Sequence, residues 1–251
     1  MRLTELRQMR ELEDNYWWFV GRRRMVRHLI HMYAPPAENL RILDAGCGTG
    51  GTMVALQGIG EISGCDLSAD ALRMCRDRGD FALTCCTVEC LAYPDDHFDV
   101  VVSADVLEHV EDDFRAMQEM ARVLKPGGLL VAAVPAHRYL WSEHDEALAH
   151  FRRYERKELK TLVEGAGLEV KKMTEAVMLA LPAVLLYRAL RRRARRDGQP
   201  KTSLVRLPAP LNRLLIWLLD VENALMPYVS LPRGTSLVVA AVKPTTEQHS
   251  S

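Results

Sequence analysis

Short apolar runs alternate with helical patterns along most of this chain. Five runs have the length of strands: Arg41 to Ala45, Glu61 to Cys65, Phe81 to Cys86, Phe98 to Ser103 and Leu129 to Val134. The stretches between them carry apolar residues at helical spacing, most clearly Asp113 to Leu124, where Phe114, Met117, Ala121 and Leu124 are expected to face inward. Pro126-Gly127-Gly128 stops that helix, and a further helix is expected from Glu155 to Ala166, closed by Gly165 and Gly167. Leu168 to Lys172 and Ser236 to Val242 add two candidate strands. This alternation predicts an α/β fold with a seven-stranded, mostly parallel sheet and helices on both faces.

Two segments lie outside the alternation. At the start, Leu3, Leu6, Met9 and Leu12 are spaced as on a helix, followed by the aromatic elbow Tyr16-Trp17-Trp18-Phe19 and a second helix that Pro35-Pro36 ends after Tyr33. Residues 1–36 are therefore read as a helical cover, with 37–175 and 233–244 forming the main domain. Residues 176–232 read as a helical insertion before the last strand. Its first part, Val177 to Tyr187, is apolar, and Arg188, Arg191, Arg192, Arg193, Arg195 and Arg196 follow. Its second part, Leu211 to Met226, is an amphipathic helix carrying Trp217. The tail, 245–251, is polar and expected to be disordered.

Composition narrows the function classes. A hydrophobic fraction of 48% supports a large core, and 33 basic residues balance 33 acidic ones, so no global field points to nucleic acid as a partner. The chain has neither a charged-then-apolar leader nor an uncharged apolar run long enough to span a bilayer, which leads to the expectation of a cytoplasmic protein. The six cysteines, Cys47, Cys65, Cys75, Cys85, Cys86 and Cys90, are expected to be reduced core residues, since they lack the paired spacing of a zinc site. Binding of a thiol-ligated metalloid is the weaker alternative.

The chemistry begins at Leu43-Asp44-Ala45-Gly46-Cys47-Gly48-Thr49-Gly50-Gly51, where Gly46, Gly48 and Gly51 fit the G-x-G-x-x-G of dinucleotide enzymes. Asp44 argues for a different ligand, because its carboxylate would repel a pyrophosphate and favour a cation. Asp66, closing the second strand, has two acceptor oxygens for a pair of ribose hydroxyls, and Ser68 is available to cap the next helix in its place.

Three further motifs follow in order: Tyr93-Pro94-Asp95-Asp96-His97-Phe98-Asp99-Val100-Val101, Asp105-Val106-Leu107-Glu108-His109-Val110 and Arg122-Val123-Leu124-Lys125-Pro126-Gly127-Gly128. With the glycine turn and Asp66, this series resembles the class I S-adenosylmethionine-dependent methyltransferases, from about Arg41 to Lys172 and again in the final strand. The resemblance implies a Rossmann-like fold and S-adenosyl-L-methionine as cofactor. It places the cofactor against Asp44, Gly46, Cys47, Gly48 and Gly50, then Asp66 and Leu67, Thr87 and Val88, and Asp105. The chain departs from the family at Thr87, where an acidic residue usually stands near the adenine amino group.

Open α/β folds place ligands at the carboxyl edge of the sheet, which makes His109 the first candidate for a base that takes a proton from a hydroxyl acceptor. The alternative is that Glu108 and His109 only cap and solvate the next helix. The same stretch resembles that of quinone-biosynthetic O-methyltransferases, some of which hold a divalent metal with nearby acids and histidines. Asp105, Glu108 and His109 are the matching groups, and no metal is assigned from the sequence.

After the fifth strand, His137 to Tyr154 resembles a substrate-side loop. In it His144 and Asp145 form a candidate base and orienting partner, while Arg152, Arg153 and Tyr154 are candidates for holding the acceptor. Trp18 in the cover is a further candidate contact.

The expected activity is methylation, chiefly on oxygen, of a small or lipid-like metabolite. The alternatives are a noncatalytic cofactor-binding subunit and, less favoured, a nicotinamide oxidoreductase. The insertion suggests either a peripheral contact with the inner membrane face or a homodimer. RNA binding ranks lower because the arginines lack interleaved aromatics.

Overall fold

The computed structural model describes residues 3–186 and 205–245. The arginine run and the end of the tail lie outside the described residues, so the reading of that tail as disordered is not addressed by them. The helices among them are α1 (Leu3–Leu12), α2 (Trp17–Tyr33), α3 (Gly51–Leu56), α4 (Ala69–Arg76), α5 (Asp113–Val123), α6 (Glu143–Ala147), α7 (Arg156–Gly165) and α8 (Ala209–Leu225). The strands are β1 (Leu40–Ala45), β2 (Gly60–Asp66), β3 (Ala82–Cys85), β4 (Phe98–Ala104), β5 (Leu124–Pro135), β6 (Glu169–Ala176) and β7 (Ser236–Val242).

The sheet runs in the order β3-β2-β1-β4-β5-β7-β6. The first five strands pair in parallel, and β7 enters between β5 and β6 antiparallel to both. The order reverses at β1, so β1 and β4 diverge in their connections and open a crevice at their carboxyl ends.

Strand alternation divides the core between the two faces. Leu43, Val101, Leu130 and Val239 face α5 and α7, where Met117, Met120, Leu159 and Val163 cover them. Ile42, Val100, Val102, Leu129 and Val131 face α2, meeting Met25, Leu29 and Ile30. Local caps fix the helix starts: Ser68 accepts the Ala71 N–H at 3.2 Å, and Asp112 accepts the Arg115 N–H at 2.9 Å.

Several expectations change. Trp17, Trp18 and Phe19 are the first turn of α2 rather than an elbow before it. Phe114 is 41% exposed, because at the first turn of α5 it lies over Gly165 of α7 instead of entering the core. Cys85 and Cys90 are exposed and Cys86 half-buried, while Cys47, Cys65 and Cys75 are buried, so only half of the cysteines are core residues.

The insertion packs on α2. Gly21 lets α8 approach closely, since a Cβ there would collide with Leu219. Glu222 of α8 is buried and accepts the Val177 and Leu179 N–H groups at 2.7 and 2.6 Å, which ties the start of the insertion to its second helix. The Asn212 side-chain carbonyl accepts the Trp17 N–H at 2.9 Å and so caps the start of α2 from across the chain.

Gly21→Val should therefore overpack the α2–α8 contact and cost about 1–3 kcal/mol. A urea-denaturation midpoint checks this, and an unchanged midpoint would show that the two helices separate freely.

Candidate functional site

A cavity of about 1100 Å³ opens over the carboxyl edge of the sheet. Its floor is the glycine turn between β1 and α3. Gly46 and Gly50 have φ of 80° and 86°, which L side chains rarely adopt, and a Cβ on Gly46 would collide with Val106. The turn thus brings bare backbone against whatever the cavity holds. Its roof is α1, with Met9 in contact range of Gly48, and the following residues: Thr49 donates to Glu13, which Arg78 also pairs with.

Asp44 stands on that floor, buried, with Oδ2 lacking a partner among the described residues. Burial pushes its carboxyl up to about 7, against the pull of Arg22 and with added repulsion from Asp66. Asp66 is not free, as the sequence suggested. Its Oδ2 accepts the Gly48 N–H at 2.9 Å and its Oδ1 accepts the Ser68 N–H at 2.8 Å. Each oxygen keeps one lone pair, so the two bonds orient the carboxylate without saturating it. Ser68 does cap α4.

Cys47, Leu67, Thr87, Val88 and Asp105 also line the cavity. Thr87 Oγ1 lies 3.0 Å from a carboxylate oxygen of Glu89, another lining residue, so an acid stands two residues after the position at which the chain departs from the family pattern. Asp105 has φ 56° and pairs with Arg22, which reaches in from α2. Arg22 lies over the Phe19 ring, and its Nε has no partner among the described residues. Sequence reasoning missed both Arg22 and Glu89. The only signal for Arg22 was its place after the aromatic cluster.

On the acceptor side the structure assembles a constellation different from the expected one. Asp145 is fully buried and meets His150, a histidine the sequence had not singled out. His150 Nδ1 lies 3.0 Å from Asp145 Oδ1. Arg153 donates to both Asp145 oxygens at 2.8 and 3.1 Å, and the Ser142 N–H donates to Oδ2 at 2.8 Å, which closes the capping box of α6. Burial opposes ionisation of Asp145, but the His150 and Arg153 bonds outweigh it and hold the carboxyl well below its usual range. Ala149, at φ 54°, ends α6 and turns the chain so that His150 folds back over Asp145.

His109 and His144 flank His150. Their ring centroids lie 4.6 and 6.1 Å from it, both edge-on. Burial lowers His109 to about 4, aided by His150, so it is neutral at neutral pH. Glu108 is buried, its Oε2 has no partner among the described residues, and burial raises its carboxyl to about 8.

Glu108, His109 and His150 bring ligand atoms within 4.8 Å of one another, a set that could hold a metal ion. This differs from the set suggested by the sequence, because Asp105 is engaged by Arg22 and His150 takes its place. His109 and His150 each have one ring nitrogen held, by the Leu148 backbone and by Asp145, leaving the other for a ligand or a proton.

Arg152, Arg153 and Tyr154 are consumed within the protein. Arg153 is buried against Asp145 and the Ala136 carbonyl, while Arg152 and the Tyr154 hydroxyl both reach Asp113, at 2.9 and 2.7 Å. They brace the loop onto α5 instead of presenting charge to an acceptor. Trp18 does line the cavity, packed edge-on against Trp17.

The raised carboxyls have a measurable consequence. Asp44 and Glu108 hold protons in the folded state at pH values where the unfolded chain has released them, near 3.9 and 4.3. Stability of the ligand-free protein should fall as pH rises from about 4 through about 7 for Asp44 and about 8 for Glu108. Asp44→Asn should remove more than about 1 kcal/mol of that loss between pH 5 and 7. Denaturation midpoints across this range check it, and parallel profiles for the two proteins would refute it.

Comparison with known proteins agrees with this geometry. Residues 43–132 match the methyltransferase domain family. A ubiquinone biosynthesis O-methyltransferase of Thiobacillus denitrificans is 38% identical over 101 residues, 37% of this chain and 43% of the relative. A tRNA (carboxymethyluridine(34)-5-O)-methyltransferase of Arabidopsis thaliana is 36% identical over 96 residues, 37% of this chain and 23% of the relative. The chain thus spans less than half the length of these curated relatives.

Among solved structures, a chain from the Haloferax volcanii complex of the Trm112 methyltransferase activator with a methyltransferase superposes with a TM-score of 0.64. That match is 20% identical and covers 98% of this chain and 97% of the other. Haemonchus contortus phosphoethanolamine N-methyltransferase 2 in complex with S-adenosyl-L-methionine gives 0.57 at 21% identity, covering 88% of this chain and 52% of the other. At these identities the superpositions speak for the fold alone. They show a Rossmann-like fold, within which residues 43–132 are similar to the methyltransferase domain family.

Proposed function

We propose that this protein transfers the methyl group of S-adenosylmethionine to an oxygen of a small or lipid-like metabolite, with His150 as the base. The observation that carries this reading is the Arg153–Asp145–His150 chain at the cavity wall. Asp145 fixes the His150 tautomer by accepting from Nδ1, which leaves Nε2 as the proton acceptor. A hydroxyl acceptor must lose a proton as it is methylated, and this arrangement supplies the receiving atom.

The cofactor side fits the same reading. The orphaned Asp44 oxygen and the bare glycine turn suit the cationic amino-acid portion, and the unpartnered Arg22 Nε suits its carboxylate. Asp66 offers one lone pair per oxygen to the ribose hydroxyls, and Glu89 with Thr87 offers acceptors to an adenine amino group. When bound, the cofactor supplies an electrophilic methyl group on a sulfonium.

The protein's own residues do the rest. Asp145, kept ionised by Arg153, stabilises His150 as it becomes charged, and neutral His109 beside it adds no competing cation. The insertion supplies an apolar wall of Ala180, Val184, Leu207, Leu211 and Leu215, suited to an acceptor with a hydrocarbon portion.

A second reading rests on the Glu108, His109 and His150 set. A divalent cation there would bind the acceptor oxygen and lower its pKa, so that the proton leaves without His150.

The test is turnover of a metabolite extract with methyl-labelled cofactor. His150→Ala should lose about 10²–10⁴-fold in rate while calorimetry shows cofactor binding unchanged. Full activity in that variant would overturn the base assignment. Label in no product, with the cofactor bound, would instead mark a noncatalytic binding subunit. Loss of turnover on chelation, restored by one added cation, would favour the metal reading.

The cofactor side yields its own expectation. Cofactor affinity should rise with pH through about 7 as Asp44 ionises, and Asp44→Asn should bind weakly and with little pH dependence over that range. Calorimetric titrations at pH 6 and 8 check this, and a steep rise in the variant would contradict it.

A further inference from the structure

Two hydroxyls on the cavity wall take no part in the chemistry derived above. Thr235 and Ser236, at the start of β7, both line the cavity and are each only 5% exposed. Neither Thr235 Oγ1 nor Ser236 Oγ has a hydrogen-bond partner among the described residues. Buried polar groups in folded chains are nearly always paired, because a hydroxyl taken from water without a partner costs stability. Two adjacent exceptions at the wall of one cavity point to a ligand group that pairs with them.

Their place in the fold is closely fixed. Strand β7 runs antiparallel to β5 and β6, so its start meets their carboxyl ends, with Ser236 in register with Pro135 and Ala176. Gly234 lies so near Ala176 that a Cβ on it would collide with the Ala176 carbonyl, and its N–H donates to Glu175 at 2.6 Å. The Thr235 N–H donates to the Ala176 carbonyl at 3.0 Å, and the Thr235 carbonyl accepts the Ala136 N–H at 2.9 Å. Both backbone groups of Thr235 are thus used, and only its hydroxyl is left.

The same contacts connect this strand end to the base. The Ala136 carbonyl accepts from Arg153, which holds Asp145, which meets His150. On the other side Ser236 shares a small adjoining pocket with Trp18 and Arg22. Successive strand residues point to opposite faces, but the cavity lies over the end of the strand and takes in both.

We infer that Thr235 and Ser236 form an anchoring subsite for a second, neutral oxygen of the acceptor, a hydroxyl or a carbonyl, distinct from the oxygen that is methylated. The inference rests on the proposed function and deepens it by naming what the acceptor must carry. Hydroxyl chemistry selects the partner, since each side chain both donates and accepts and so suits either oxygen group. One rotamer change about χ1 turns each toward a ligand.

Charge excludes the ionic alternatives. Arg153 is committed to Asp145 and Ala136, and Arg22 to Asp105 and, in the proposed function, to the cofactor carboxylate. Neither is left to neutralise a carboxylate or phosphate at this wall. The neighbouring Ala180, Val184 and Leu215 offer no side-chain hydrogen bond, so discrimination between acceptors with and without the second oxygen falls to the two hydroxyls.

The experiment titrates the full chain, saturated with S-adenosylhomocysteine, with para-hexylphenol, hexylcatechol and hexylresorcinol in a calorimeter. The bound S-adenosylhomocysteine keeps these probes out of the cofactor's part of the cavity, and its own binding is read first. The wild type should bind at least one of the dihydroxy probes about tenfold or more tighter than para-hexylphenol. The double variant Thr235→Val, Ser236→Ala should bind para-hexylphenol as the wild type does and reduce that preference to less than about twofold. Thr235→Ser, which keeps the hydroxyl, should retain the preference.

The denaturation midpoint of the ligand-free double variant should equal or exceed that of the wild type, because the substitutions remove hydroxyls that have no partner. A lower midpoint would assign the hydroxyls to the fold and overturn the proposal. So would a wild type without the tenfold preference, or a double variant that keeps it. Probe binding is measured without turnover, so failure of the subsite is distinguishable from failure of the methyl-transfer reading, which shows as full activity of His150→Ala.

Discussion

The loop that follows β5 depends on one buried carboxylate. Asp145 has no contact with water, and a lone carboxylate in that position would be protonated or expelled. It stays ionised because Arg153, His150 and the Ser142 N–H meet it from separate directions. Each of these bonds has a structural effect: one closes the capping box of α6, one holds the loop to the end of β5 through the Arg153–Ala136 contact, and one aims an imidazole at the cavity. Such a charge is costly to bury, so the surrounding loop is over-determined, and the ring it orients is correspondingly well placed.

The cofactor side is organised by an opposite device. Asp44 is buried without saturation, and burial raises its pKa against the pull of Arg22; in the proposed function that carboxyl meets the cationic end of the cofactor. Arg22 is partly paired with Asp105 and partly unpartnered in the same cavity. Two charges of opposite sign, each incompletely satisfied, suit a ligand with both an ammonium and a carboxylate. The fold makes this possible by placing the glycine turn and the end of β4 on either side of the strand-order reversal.

What the sequence revealed was local. The glycine turn, Asp66 and the run from Asp105 to His109 are each contained in a few consecutive residues, so their spacing reports their geometry. The sheet was legible for the same reason: strands declare themselves by short apolar runs, and β7 lies where its run predicted.

The errors came where side chains converge from distant or merely adjacent positions. His144 and Asp145 are neighbours in sequence, but successive residues on a helix point about 100° apart. Asp145 instead meets His150 after the left-handed turn at Ala149. Arg22 reaches Asp105 across 83 residues, a separation that no spacing rule encodes. Phe114 fitted the helical pattern and still faces outward, because the pattern cannot tell a core from the neighbouring helix α7.

In the proposed reaction the proton of the acceptor hydroxyl goes to His150. Chemical rescue tests it most directly, since the His150→Gly variant removes the imidazole and leaves a space that a small base can enter beside Asp145. Added imidazole should restore methyl transfer at least about tenfold, with cofactor affinity the same in its presence and absence. Normal turnover by the variant without imidazole, or no rescue despite intact cofactor binding, would contradict it.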